Sequence, residues 1–240
     1  MPHAKKNDFK PWAVRRFCIP PEHSGAFVQA MEDVLAVYHL PYDADRPVVC
    51  FDETSKQLVE HTRQPLPQAP GQPRCVDDEY KRCGTANVFL AVEPLTGVVL
   101  LQATQRRGAV ECAVFLRHLS DVVYADASAI RLVGDNLNTH TAACFYEAFP
   151  PAEARRLTER FEIHHTPKHG SWLNVAECQL SVLSRQCLDQ RIGSLQQLHR
   201  LLRGWARNRG TSRVRWQFTT ADARIKLRRL YPIISNETRH

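Results

Sequence analysis

Two short apolar segments that each end in an acidic residue constrain the fold of this chain most. The run RPVVCFDET around residue 50 and the run IRLVGDN around residue 132 are rich in β-branched residues and stop abruptly at polar ones. Such runs are typical of strands buried on both faces. We therefore predict two strands whose carboxyl ends present Asp52 and Asp135. Glu53 adjoins Asp52, and it should face the other way because neighbouring strand residues point to opposite faces.

The other periodicities place helices and strands around these two. Apolar residues recur at helical spacing within residues 27–38, 109–124, 172–188 and 195–205, and shorter helical stretches are predicted near 140–149 and 151–160. A hairpin is predicted around residues 94–97, and FEIHHTP is a further strand. Thr219 or Thr220 should cap a last helix that runs to Pro232. The proline-rich residues 56–83 are predicted to form a long exposed excursion.

This order of elements predicts an α/β fold, in which helices cover the faces of a mixed sheet. Sheets of this kind bind ligands at the carboxyl ends of their strands, where Asp52 and Asp135 are expected. A third acid, Glu177, falls in the predicted helix at 172–188. At 100° per residue it lies roughly 80° from the centre of the apolar stripe. We expect the stripe to pack on the sheet while Glu177 faces a site at its edge.

Three converging carboxylates suit a hard divalent cation. Mg²⁺ takes one or two carboxylates per ion and fills its remaining positions with water and phosphate oxygens. A pair of such ions supports in-line displacement at phosphorus. Acids at strand ends also serve as caps and turn residues, so each acid taken singly has a purely structural alternative.

The charge balance favours an anionic partner. Lysine and arginine number 32 against 25 aspartates and glutamates, for a net charge of +7, and the arginines concentrate in the second half of the chain. A basic surface attracts phosphates, although it can also be merely a solvated face. The eight cysteines form no CxxC pair, which favours neither a disulfide framework nor a zinc ribbon. No apolar run is long enough to cross a membrane, so we expect a cytoplasmic protein.

Four strings carry a resemblance to a known family: VVCFDETSKQL, GDNLNTHT, HHTPKHGSWLNVAECQLSVLSRQCL and RWQFTTADARIKLRRLYP. Together and in this order they resemble the IS630 family of insertion-sequence transposases, related to the Tc1/mariner group. The likeness extends from about residue 10 to residue 231. It implies an RNase H-like fold with a five-stranded mixed sheet, and the catalytic, metal-binding DDE acids Asp52, Asp135 and Glu177. It also implies Mg²⁺ or Mn²⁺ as cofactor, and double-stranded DNA that is cut and joined at TA targets.

Further residues lie close to these acids in the sequence. Asn136 and His140 follow Asp135 and are expected either to touch phosphate or to cap and pack behind the acids. Four residues surround the approach to Glu177, where they could hold DNA or support the site: Lys168, His169, Trp172 and Asn174. Trp172 has an equally good interpretation as a core residue.

The expected organisation is a basic segment with a lead-in helix (1–45), a catalytic domain (46–232) and a tail (233–240). Members of the resembled family carry helix-turn-helix domains ahead of the catalytic domain, and here only a short basic stretch precedes the first core helix. We therefore expect a catalytic portion that works as a homo-oligomer on DNA at the nucleoid, with a separately encoded helix-turn-helix subunit. Two alternatives stay open: a non-catalytic DNA-binding remnant that regulates transposition, and another RNase H-like nuclease.

Overall fold

Five strands form one mixed sheet in the computed structural model, which describes residues 24–73, 75–135 and 141–232. The strands are β1 (Val48–His61), β2 (Tyr80–Val92), β3 (Val99–Thr104), β4 (Ile130–Gly134) and β5 (Phe161–His165). Their spatial order is β3-β2-β1-β4-β5. β1, β2 and β3 pair antiparallel, whereas β4 pairs parallel with both β1 and β5. The predicted mixed sheet is therefore present.

Seven α-helices flank this sheet in the described ranges. They are α1 (Gly25–Tyr38), α2 (Ala109–His118), α3 (Ala143–Ala148), α4 (Pro151–Arg160), α5 (Val175–Leu183), α6 (Leu195–Asn208) and α7 (Thr220–Lys226). Single π-helical turns extend α2 over Leu119–Val123 and α5 over Ser184–Leu188. None of the helices in these ranges combines the length and the apolar character needed to span a membrane.

Strand β1 is longer than its sequence suggests. The prediction that it ends at Asp52 and Glu53 is wrong, because the strand continues to His61 and stays paired with β2 as far as Tyr80. Beyond Cys50 the described residues show no pairing of this strand with β4, yet β2 still satisfies its backbone groups, so pairing persists where the side chains turn polar. The predicted excursion over residues 56–83 is correspondingly too long, and the segment between the strands is 62–79.

The two faces of the sheet bury two separate apolar clusters. One face, here called the α5 face, packs against α1, α5, α6 and α7 and includes Met31, Leu90 and Leu183. The opposite face, here called the α2 face, packs against α2, α3 and α4. The alternation of side chains along β1 puts Cys50 on the α5 face and Phe51 on the α2 face. Asp52, which follows them, belongs by the same alternation to the α5 face.

The last described residues pack against α1. As predicted, Thr219 caps the last helix, and its hydroxyl accepts a hydrogen bond from the backbone N–H of Asp222 at 3.0 Å. The helix nevertheless ends at Lys226 and gives way to a 3-10 turn over Arg228–Leu230, so the predicted extension to Pro232 is wrong. The turn buries Leu230 completely, and its carbonyl accepts from the N–H of Ser24 at 3.1 Å.

Candidate active site

The register of the sheet brings the two predicted aspartates level with each other. Val49 lies opposite Leu132 and Cys50 opposite Val133 in the parallel pair of β1 and β4. Two residues further along each strand, Asp52 lies beside Asp135, which directly follows β4. The pairing of β1 with β4 ends at Cys50 and Val133, so Asp52 lies beside the carboxyl end of β4 although its own strand continues to His61.

The third acid reaches the same edge from a helix. Glu177 is exposed in the first turn of α5, where the partial positive charge of the helix terminus favours a carboxylate. α5 packs its apolar side, including Leu180 and Leu183, on the α5 face of the sheet. Glu177 thereby faces the edge where Asp52 lies.

Asn174 fixes the start of α5 to β1. Its side-chain oxygen accepts from the N–H of Ala176 at 3.0 Å, which caps the helix. Its amide nitrogen donates to the carbonyl of Phe51 at 3.0 Å and to Oδ2 of Asp52 at 3.3 Å. Asn174 is only 1% exposed. Asn174 was predicted either to hold DNA or to support the site. A side chain so buried offers no surface to DNA, and its contacts are those of a supporting residue.

Tyr38 secures the turn that leads into α5, and sequence analysis missed this role. Its hydroxyl donates to the carbonyl of Leu173 at 2.7 Å and accepts from the N–H of Val175 at 3.4 Å. The ring packs on Trp216, with centroids 5.0 Å apart. In the sequence Tyr38 is simply one member of the apolar stripe of α1. The available signal was its hydroxyl, because a buried tyrosine needs a hydrogen-bond partner.

The carboxylates interact unfavourably with one another. Burial is the largest cause that raises the pKa of Asp52 to about 8, against a lowering by the N–H of Glu53, which donates to it at 2.8 Å. The hydrogen-bonded carboxyl of Glu177 and the charge of Asp135 raise the pKa further. Asp52 is 8% exposed. Adding negative charge to this edge is therefore costly, and a bound cation would offset the cost.

The donor set has the chemistry of a hard-cation site, since all three groups supply carboxylate oxygens. Among the described residues, which include these three acids, no three His, Cys, Asp or Glu side chains form a ready-made metal-binding group. Glu53 does not join the three acids. As predicted from the alternation of strand side chains, it takes the other direction, and its carboxylate lies 4.0 Å from the guanidinium of Arg107.

Lys168 and His169 lie on the surface beside this edge. Both are exposed and line a cleft of about 390 Å³ between α1 and the loop that follows β5. The cleft also touches His165, whose Nδ1 is 3.2 Å from the carbonyl of Asp135. His169 adopts a left-handed backbone with φ of 65°. The two side chains are thus accessible next to the residues around Asp135.

The remaining predicted residues divide into one that is described and two that are not. Trp172 packs edge-on against Phe218, with ring centroids 6.1 Å apart, and contributes to the cluster on the α5 face. This contact corresponds to the core interpretation of Trp172. Asn136 and His140 lie outside the described residues.

Residues 47–199 match the family described as DDE superfamily endonuclease, which covers more than half of the chain. The chain belongs to this family. Comparison with curated protein sequences gave no match.

Solved structures of mariner transposase share the fold. The chain aligns with the Mos1 strand transfer complex at a TM-score of 0.55 and 18% identity, covering 82% of this chain and 58% of that one. The Mos1 paired-end complex with Mg gives a TM-score of 0.57 and 17% identity over 92% of this chain and 67% of that one. The corresponding complex with Mn gives 0.51 and 18% over 81% and 59%. The chain thus spans less than two thirds of the transposase in the strand transfer complex. Its five-stranded sheet confirms the predicted RNase H-like fold.

Proposed function

We propose that this chain is the catalytic portion of a transposase that cuts and joins DNA ends by phosphoryl transfer. The observation that supports this most is the meeting of Asp52, Asp135 and Glu177 at one edge of the sheet in a DDE endonuclease fold. In the cutting step, a water oxygen attacks phosphorus and the bond to the 3′ oxygen breaks, which leaves a 3′-hydroxyl and a 5′-phosphate. In the joining step, a DNA 3′-hydroxyl is the nucleophile.

The three acids would hold Mg²⁺ or Mn²⁺, the metals named in two of the similar Mos1 complexes. When bound, such ions lower the pKa of the nucleophile and neutralise charge on the leaving oxygen. Asn174 keeps Asp52 and the first turn of α5 in register, and Tyr38 holds the turn that precedes it. Positioning by these uncharged groups matters because phosphoryl transfer requires little covalent chemistry from the protein.

The proposals on family branch, target site and partners rest on the four sequence strings quoted above and on the similarity to the Mos1 structures. We place the chain in the IS630 branch, with insertion at TA and a catalytic domain over 46–232, against which α1 packs. Lys168 and His169 would contact DNA, and Asn136 and His140 keep their proposed roles next to Asp135. The chain would act at the nucleoid, as a homo-oligomer on double-stranded DNA with a separate helix-turn-helix subunit.

An Asp135→Asn variant tests the proposed chemistry. Loss of one metal-binding oxygen should reduce Mg²⁺-dependent cleavage of element-end DNA at least about 100-fold, since each ~1.4 kcal/mol of barrier is tenfold in rate. DNA affinity, measured by fluorescence anisotropy, should stay within about twofold. Asp121→Asn is the matched control, because Asp121 pairs with Arg156 away from the site.

The assay is run with and without an added helix-turn-helix protein. Cleavage retained by Asp135→Asn would contradict the assignment of the site. Binding without cleavage by the unaltered chain, under both conditions, would instead favour the non-catalytic remnant.

A further inference from the structure

The segment from Gln190 to Ala221 contains no aspartate or glutamate but seven arginines: Arg191, Arg200, Arg203, Arg207, Arg209, Arg213 and Arg215. Two of them have structural duties. Arg191 donates to the carbonyls of Asp77 and Glu79 in the segment between β1 and β2. Arg209 lies over the ring of Trp205 at 5.0 Å and is only partly exposed. The other five are exposed, and we call them the arginine track: Arg200, Arg203, Arg207, Arg213 and Arg215.

Three members of the track form one stripe on α6. Arg200, Arg203 and Arg207 are spaced by three and four residues, which places them on the same helical face. The opposite side of α6 buries Leu198 and Leu202 in the cluster of the α5 face. At 1.5 Å per residue the stripe is about 10 Å long. One strand of B-DNA carries about three phosphates over that length.

The track is not neutralised within the described ranges. Several arginines elsewhere on the surface are paired with acids, as Arg155 is with Glu159 and Arg156 with Glu153. No ion pair joins any of the five track arginines to an acid among the residues that the structure describes. Like charges at three- and four-residue spacing destabilise a helix, so helix stability does not account for the stripe.

Two hydrogen bonds show that the stripe leads towards the acidic edge. Trp205 Nε1 donates to Gln186 at 2.9 Å, beyond the end of α5, whereas Arg209 donates to Gln179 at 2.9 Å, in the middle of α5. α6 and α5 are therefore antiparallel. The carboxyl end of α6, which carries Arg207, lies nearest the first turn of α5 and Glu177.

We propose that the α6 stripe of the arginine track, Arg200, Arg203 and Arg207, binds the sugar–phosphate backbone of duplex DNA adjacent to the phosphodiester that reacts at the acidic edge. The inference rests on the proposed function for its ligand. Arginine suits this task because its guanidinium contacts phosphate oxygens bidentately. The three carboxylates repel the phosphates of DNA, and the positive charge of the arginines offsets this repulsion.

The test compares two double variants of the whole chain that lower its net charge equally. Arg203→Gln/Arg207→Gln alters the track, and Arg155→Gln/Arg156→Gln alters arginines of α4 that are already paired. Glutamine keeps a helix propensity close to that of arginine. Binding to a labelled generic DNA duplex is measured by fluorescence anisotropy over a series of NaCl concentrations, and thermal melting followed by circular dichroism checks folding.

Each lost phosphate contact lowers the slope of log K against log salt by about 0.9, so the track variant should lose up to about 1.8. The control pair should lose less than about 0.5. Equal losses in both variants would indicate a general charge effect and overturn the proposal, as would an unchanged slope in the track variant. A larger loss for single-stranded RNA than for the duplex would also overturn it and identify a different ligand.

Failure of the track and failure of the proposed chemistry are distinguishable. If the track variant loses salt-dependent binding while Asp135→Asn leaves cleavage unchanged, the binding surface stands and the proposed chemistry falls. If Asp135→Asn abolishes cleavage while the track variant binds DNA with an unchanged slope, the chemistry stands and the track is refuted.

Discussion

Replacement of Asn174 by alanine should destabilise the protein much more than loss of an ordinary helix cap. The wild-type amide accepts one hydrogen bond from Ala176 and donates two, to Phe51 and Asp52, from a position that is 1% exposed. The lost cap costs about 1 kcal/mol. The two lost donations cost about 1 kcal/mol each, and more where the acceptor is charged. We therefore expect the free energy of unfolding to fall by about 3 kcal/mol.

Ser194→Ala is the matched control, since Ser194 caps α6 through one hydrogen bond from Gln197 at 3.2 Å and has no second duty in the described contacts. It should cost only about 1 kcal/mol. Both values come from urea unfolding followed by circular dichroism in the presence of a chelator. A cost for Asn174→Ala no larger than that for Ser194→Ala would refute the double role of the amide.

An isosteric Asn174→Asp variant separates the cap from the link to Asp52. The new carboxylate can still cap α5, because it accepts from Ala176 as the amide oxygen did. Its second oxygen, however, replaces the donor that stood 3.3 Å from Asp52, so attraction becomes repulsion between two acids. Above about pH 9, where Asp52 with its pKa of about 8 is ionised, we expect a loss of stability at least as large as that of Asn174→Ala. A stability equal to wild type would contradict this account.

Two further predictions concern the rest of the fold. Hydrogen bonding to Arg224, at 2.9 and 2.8 Å, is the first cause that lowers the pKa of Glu32, so the stability from this pair is present above the unfolded pKa and is lost as the pH falls through the folded one. Glu32→Gln should flatten the decline of unfolding free energy below about pH 5, measured by urea titration; an unchanged decline would count against the pair. Gly97 has φ of 78°, and a Cβ there would lie 3.0 Å from the backbone of Ser212, so Gly97→Ala should cost more than about 1 kcal/mol. A Cβ at Gly204 in α6 would meet nothing within 4 Å, so Gly204→Ala should raise the free energy of unfolding by up to about 1 kcal/mol. Thermal melts in which the melting temperatures of both variants shift in the same direction would refute the contrast.

Local patterns in the sequence predict much of this fold. Apolar spacing located α1, α5 and α6, the turn at residues 94–97 located the hairpin, and Thr219 located the start of α7. These features depend on neighbours a few residues apart, which is why period and capping residues suffice. The candidate acids also came from the sequence, through their positions after apolar runs and through the family resemblance.

Other features required the tertiary structure. The extension of β1 depends on hydrogen bonding to β2, which replaces the apolar signal that ends at Asp52. Tyr38 and Leu173, like Asn174 and Phe51, are joined by hydrogen bonds between residues more than a hundred positions apart. The periodicity of apolar residues cannot predict hydrogen bonds between residues so far apart in the sequence.

The sequence by itself determined which residues of this protein are apolar, where its helices and hairpin form, and which acids are available for chemistry. Only the tertiary structure decided that the acids share one edge, that the amide of Asn174 joins Asp52 to the helix carrying Glu177, and that α6 runs antiparallel beside that helix. The physical reason is that local structure follows from interactions along the chain, whereas a site follows from how separate elements pack to bury their apolar faces.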